Sequence, residues 1–184
     1  MTIQETEMDP IELYTKRLKI RKMNREDWPH FQSIQLDPRI NRHIRQCSLH
    51  IDIAQKFEDE LQPWEFQSGR WLSLVIETIE GEFVGFTGLY CEEAFCQRIE
   101  LGYMLHPKQH KKGYATEAVK AVVDWACLSF DIKKIIASVT TDNKASVNVL
   151  KKNGFVIEGI LRNHQRIKNE WVNIYTLGYL TQYR

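Results

Sequence analysis

The chain has 184 residues, a formal net charge of +1, 43% hydrophobic and 27% charged residues. That size and balance describe one soluble globular domain with a core large enough to need no staples. Near-neutral charge excludes a broad electrostatic footprint for nucleic acid, and no apolar run approaches the roughly 18 residues that span a bilayer.

The opening MTIQETEMDPIE is acidic and polar. Residues 1–14 are therefore expected to be a loose leader rather than a secretory signal, with 15–184 forming a single domain. Cys47, Cys91, Cys96 and Cys127 form no C-x-x-C pair, and the histidines form no H-E-x-x-H arrangement. Reduced thiols in a cytoplasmic protein, without a metal site, are the expectation.

In chain order, Arg17 to Met23 alternates apolar and basic residues, as a half-exposed strand should. Asn24 is placed to cap a helix carrying Trp28, Phe31 and Ile34, with Asp27 as its first-turn acid and Pro38 as its end. A second helix is predicted from about Ile51 to Trp64, where Ile53, Phe57 and Leu61 stand four apart. Arg70 to Ile79 and Glu82 to Tyr90 read as a hairpin around Gly81, and Arg98 to Leu105 as a third strand. From Gly113 to Phe130, the residues Ala118, Val119, Val122, Val123 and Ala126 recur at helical spacing. Lys134 to Thr140 is a short strand, Asn143 to Asn153 a helix, and Gly154 its C-terminal cap. Phe155 to Leu161 and Trp171 to Leu180 close the chain as strands joined by a polar loop. The order β, two helices, three strands, helix, strand, helix, two strands predicts a mixed α/β sheet with helices on both faces.

Chemistry concentrates after Arg98. A strand ends at Pro107, a basic loop follows, and Gly113 introduces an amphipathic helix. The free N–H groups and positive dipole end of that helix make an anion site. His110, Lys111 and Lys112 add positive charge, Gly113 permits close backbone approach, and Ala115 and Thr116 leave room for a bulky phosphate ligand. Neither G-x-x-x-x-G-K-[ST] nor G-x-G-x-x-G occurs, so nucleotide and dinucleotide loops are unsupported.

The run Gln109 to Ala118 resembles the Q/R-x-x-G-x-G/A motif of the GNAT superfamily, and GYATEAV is similar to the RimJ/RimL-type N-acetyltransferases. Asn143-Lys-Ala-Ser146, followed by Gly154-Phe155, resembles the family's N-x-x-S…G-F helix, and Glu158 to Arg162 its following strand. Lys16-Arg17-Leu18 and Asn169-Glu170-Trp171 are weaker echoes. The resemblance spans roughly residues 15–180 in the family's order.

It implies the GNAT fold and acetyl-CoA as co-substrate, with no metal. The backbone of Tyr103, Met104 and Leu105 would pair with the pantetheine arm, beside a bulge at Gly102. Backbone N–H groups of Lys111, Lys112, Gly113, Tyr114, Ala115 and Thr116 would hold the pyrophosphate, with His110 in the place of the usual Gln or Arg and Lys111 in that of a frequent glycine. The Asn143 side chain would hydrogen-bond the pantetheine. Glu100 is the candidate base, acting through water, and the competing use is a pair with Arg98 on a solvated face. Leu150 stands where many members place an acidic tyrosine, so the acid role moves to Ser146. The alternative for Ser146 is an early-helix serine bonded to the backbone. The implied activity is acetylation of a primary amine, either a protein N-terminus or a small molecule such as a polyamine. A non-catalytic CoA-binding module is the competing class. Acceptor choice would rest on Ile40–His50, Pro63–Gly69 and Asn163–Asn169. A monomer and a homodimer are both compatible, and no nucleic-acid or membrane partner is expected.

Overall fold

The computed structural model describes residues 11–44 and 50–181. Strand β1 (Glu12–Tyr14) pairs antiparallel with β2 (Leu18–Lys22), which pairs with β3 (Trp71–Thr78). β3, β4 (Phe83–Glu93) and β5 (Arg98–Leu105) form an antiparallel meander. β5 runs parallel to β6 (Lys134–Thr140), β6 antiparallel to β8 (Glu170–Leu180), and β7 (Val156–Ile167) closes the edge against β8. The resulting eight-stranded mixed sheet has the order β1-β2-β3-β4-β5-β6-β8-β7. Strand β1 lies inside the stretch expected to be a loose leader, where Lys19 bridges to Glu12 at 2.7 Å. Residues 1–10 lie outside the described residues.

Helices α1 (Trp28–Leu36), α2 (Pro38–Asn41) and α3 (His50–Leu61) cover one face, where Phe31, Ile34, Ile53 and Phe57 pack on Val75 and Phe86. On the other face, α4 (Tyr114–Ser129) and α5 (Lys144–Lys152) bury Val119, Val122, Val147 and Leu150 against Leu72, Leu101 and Ile135. All five α4 residues picked out by helical spacing are buried.

The Asn24 cap is a reciprocal capping box. Its Oδ1 accepts from Glu26 N at 2.9 Å, while the Asp27 carboxylate accepts from Asn24 N at 2.8 Å. It opens a 3-10 turn, Arg25–Asp27, that runs into α1. Pro38 does more than end α1. Asp37 before it is forced extended, with ψ 113°, and Pro38 then becomes the first residue of α2, where a missing N–H costs nothing.

The polar loop expected between the last two strands is mostly strand. β7 runs on to Ile167, with its register broken between Leu161 and Gln165 where Asn163 takes φ +48°, and β8 begins at Glu170, so the chain reverses at Lys168 and Asn169, at φ +49° and +66°. Two successive positive φ values give a type I′ hairpin. Polarity misleads here because β7 lies at the sheet edge and is exposed along most of its length, which removes any need for apolar residues.

Candidate active site

The site is made by a fork in the sheet. β5 and β6 pair only from Arg98 to Glu100 against Lys134 to Ile136. Beyond that point β5 stays with β4 as far as Leu105, and β6 stays with β8 as far as Thr140. The backbone of Tyr103 to Leu105 is therefore paired on its β4 side alone. The fork opens a cleft of about 980 Å³, with its walls drawn from both faces of the sheet. Every candidate site residue lines it except Lys112.

The bulge expected at Gly102 is not there, since the register with β4 runs unbroken through Gly88↔Gly102. The glycine serves a different need. A Cβ on it would stand 3.2 Å from the Trp71 indole, so glycine lets that ring lie across β5.

The basic loop turns twice through left-handed backbone, at Lys111 (φ +62°) and Gly113 (φ +83°). The first fits the glycine that the resemblance implies at the Lys111 position, since a side chain in that conformation carries strain. Gly113 is the N-cap of α4 and has no side chain to occupy the helix's free N–H groups. A contact not foreseen in the sequence braces this turn. The Arg17 guanidinium grips Glu117 at 2.6 and 2.8 Å, donates to the Lys112 carbonyl at 3.0 Å and lies 4.8 Å over the Tyr114 ring. The Lys16-Arg17-Leu18 echo was its only signal. The Lys112 side chain does not line the cleft: its ammonium donates to Gln109 Oε1 at 2.7 Å and its carbonyl accepts from Arg17, contacts that leave aside the backbone N–H on which its expected role rests. His110 Nε2 lies 3.0 Å from the Leu105 carbonyl, tying the loop to the end of β5. His106 sits at a capping place, its Nδ1 accepting from Lys108 N at 3.4 Å.

Glu100 is the last paired residue before the fork. Burial raises its carboxyl above the ordinary glutamate range, a hydrogen bond from Ser138 partly opposes the shift, and the charge of Glu92 adds to it. Arg98 is not its partner but is paired with Glu92. Glu92 and Glu93 stand at the exposed end of β4 outside the cleft.

Ser146 lies in the first turn of α5, where Asn143 caps the helix by accepting from Ser146 N at 3.2 Å. The Ser146 hydroxyl is not bonded to the backbone of its own helix. Its Oγ lies 2.8 Å from the Tyr103 phenol, which also reaches the Ser146 carbonyl at 3.1 Å. Burial pushes the Tyr103 phenol up to about 12, so it stays protonated. Sequence reasoning valued Tyr103 only for its backbone. Alternation along β5 also sets the two groups on opposite faces. Tyr103 packs with Leu101 and Leu105 on the α4–α5 side, whereas Met104, which shares parity with Glu100, packs with the α1–α3 core.

Residues 17–156 match the acetyltransferase (GNAT) domain family. An uncharacterized N-acetyltransferase, p20, of Bacillus licheniformis is 30% identical over 173 residues, covering 91% of this chain and 95% of its own. Two solved structures share the fold. RimL, a ribosomal L7/L12 alpha-N-protein acetyltransferase in complex with coenzyme A, superposes with a TM-score of 0.81 at 15% identity, over 92% of this chain and 98% of its own. Spermidine N-acetyltransferase from Vibrio cholerae, in complex with CoA and spermine, does so with a TM-score of 0.80 at 17% identity, over 91% and 98%. The chain belongs to the GNAT family, and its chemistry is acetyl-CoA-dependent N-acetyl transfer.

Proposed function

We propose that the acceptor is the α-amine at a polypeptide N-terminus, with Glu100 as base and the Ser146 hydroxyl, backed by Tyr103, as acid. The amine reaches Glu100 from the α1–α3 face and loses its proton to the carboxylate through one water. Its nitrogen attacks the thioester carbonyl, the C–S bond breaks, and the sulfur takes a proton from Ser146, which draws on Tyr103. Glu100 ends protonated and the Ser146–Tyr103 pair one proton short. The second proton that the nitrogen sheds as the amide forms passes through water to restore the pair, and Glu100 releases its proton to solvent, so one proton is released in all. Each acid or base step of this kind is typically worth about 10²–10⁴-fold, and the rest comes from holding the reactants in place.

For the donor, the one-sided backbone of Tyr103, Met104 and Leu105 takes the pantetheine arm as a further strand. The N–H groups from Lys111 to Thr116 take the pyrophosphate, with His110 beside them. Asn143 spends its Oδ1 on capping α5, which leaves its amide nitrogen as the donor toward pantetheine.

The single observation that carries the assignment of base and acid is the fork, and the N-terminal amine as acceptor is supported by the likeness to RimL. The fork sets a partly buried carboxylate at the apex and, on the opposite face of the same strand, a part-buried phenol bonded to the Ser146 hydroxyl of α5. The second reading, a polyamine acceptor, is favoured by the Spermidine N(1)-acetyltransferase of Escherichia coli (strain K12), 23% identical over 85% of this chain. Thiol release from acetyl-CoA with peptides, polyamines and amino sugars separates the two. Peptides turned over fastest, with a sharp loss in Glu100→Gln, is the expected result. CoA binding without turnover of any amine would instead indicate a module that has lost catalysis.

A further inference from the structure

The half of the cleft beyond Glu100 is walled by α1 to α3 and the turn after α2, which contribute Phe31, Arg39, Ile40, Arg42, His43 and Lys56. Among the described residues, two carboxylates face it, Glu60 and Glu100. Glu60 is already engaged, accepting from the Ser73 hydroxyl and pairing with Lys56 at 3.5 Å. Glu100 is needed as the base.

The two ion pairs of this wall share one build, with the carboxylate tucked under and the cation presented. The Asp37 side chain is 11% exposed and its partner Arg39 is 68% exposed. Glu60 is 14% exposed and Lys56 34%. Arg39 is fixed to Asp37 by Nε and Nη2 at 2.6–3.2 Å, and that guanidinium holds the Asp37 carboxyl down at about 2. Arg42, exposed at the end of α2, has no carboxylate within ion-pair distance among the described residues. Its charge, after burial, holds His43 toward the neutral form, and the exposed Asp142 acts weakly the other way.

We propose, resting on the acetyl-transfer reading of this cleft, that the acceptor amine rides on an anionic body, with carboxylates within a residue or two of the amine, and is not a polycation. An acidic peptide N-terminus brings its carboxylates to Arg39 and Arg42 while its amine goes on to Glu100. A polyamine entering the same way meets Arg39, Arg42 and Lys56 first, and the one carboxylate left to receive it is the base. Charge of this kind selects partners and speeds encounter more than it tightens binding. Because the cations are exposed, salt screens their effect.

The test compares kcat/KM for Ala-Asp-Glu, Ala-Asn-Gln and Ala-Lys-Lys peptides of equal length, free aspartate, and spermidine. Each exposed pair of this type is worth about 1.4- to 5-fold in favour of the acidic peptide over its amide counterpart at low salt, and two of them multiply. The ratio shrinks at high salt and falls toward one in Arg42→Glu and Arg39→Gln, whose melting temperatures check folding. Free aspartate matching the acidic peptide supports the proposal and makes the source a small amino acid; a slow aspartate makes it a polypeptide. Equal rates for all peptides, or spermidine as the best acceptor, overturn it while acetyl transfer stands. If no amine releases thiol, the transfer reading itself falls, and this inference with it.

Discussion

Replacing Tyr103 by Phe removes one oxygen and leaves the ring packed among the residues around Leu101 and Leu105. The lost hydroxyl makes two contacts, to Ser146 Oγ at 2.8 Å and to the Ser146 carbonyl at 3.1 Å. Taking one partner from a buried polar pair costs about 1–3 kcal/mol. To the extent that the cost falls on the transition state alone, kcat drops by about 5- to 100-fold. The part already paid in the resting fold lowers the melting temperature by about 2–4 °C per kcal/mol for a chain of this size. Since the phenol stays protonated at working pH, Tyr103→Phe should leave the shape of the pH–rate profile unchanged. The decisive assay is a double-mutant cycle with Ser146→Ala, reading kcat at saturating acetyl-CoA. If Tyr103 acts through Ser146, the double variant is about as slow as the worse single one. Multiplicative losses would show that Tyr103 acts without Ser146. An unchanged kcat beside a lowered melting temperature would reduce the pair to packing.

Glu100→Gln should lower kcat by about 10²–10⁴-fold and abolish the acidic limb of the kcat/KM profile, a limb centred above the usual glutamate range because the base must be ionised. The sign for stability runs the other way: a carboxyl whose folded pKa is raised opposes folding once ionised, so at neutral pH this variant should melt no lower than the parent, and a lower melting temperature would count against the buried-base reading. Asn143→Ala should weaken CoA binding in a direct titration and also cost about 1 kcal/mol of stability through the lost cap. Lys111→Gly relieves a left-handed side chain at φ +62° and should raise the melting temperature by a few degrees, since that conformation costs a non-glycine residue about 1–2 kcal/mol, less the extra freedom glycine gives the unfolded chain; a fall would mean the Lys111 side chain supports the loop.

What could be read from the sequence was whatever a segment decides for itself. The strands at Arg98–Leu105 and Lys134–Thr140 have the bounds that their alternation and flanking turns predict, and the Asn24 cap forms because its partners are two and three residues away. Contacts between distant segments had no such signal. Arg17 meets Glu117 across 100 residues and Tyr103 meets Ser146 across 43, and nothing local marks either pair. Strand order was equally hidden, because inserting β8 between β6 and β7 leaves every local pattern unchanged.

That insertion is what makes the site. β8 holds β6 through seven registered pairs up to Thr140↔Ile174, while β4 holds β5 up to Gly85↔Leu105. Each inner strand thus has a firm outer partner, and the two can part after Glu100 without either losing its ladder. With parity fixed along β5, the residue at the apex and the residue three further on must face opposite ways. In the roles proposed for them, the carboxylate that takes the amine's proton and the hydroxyl pair that protonates the sulfur would then sit on separate faces, where neither neutralises the other directly. Strand pairing sets that separation, and the side chains at 100 and 103 only have to supply the right chemistry.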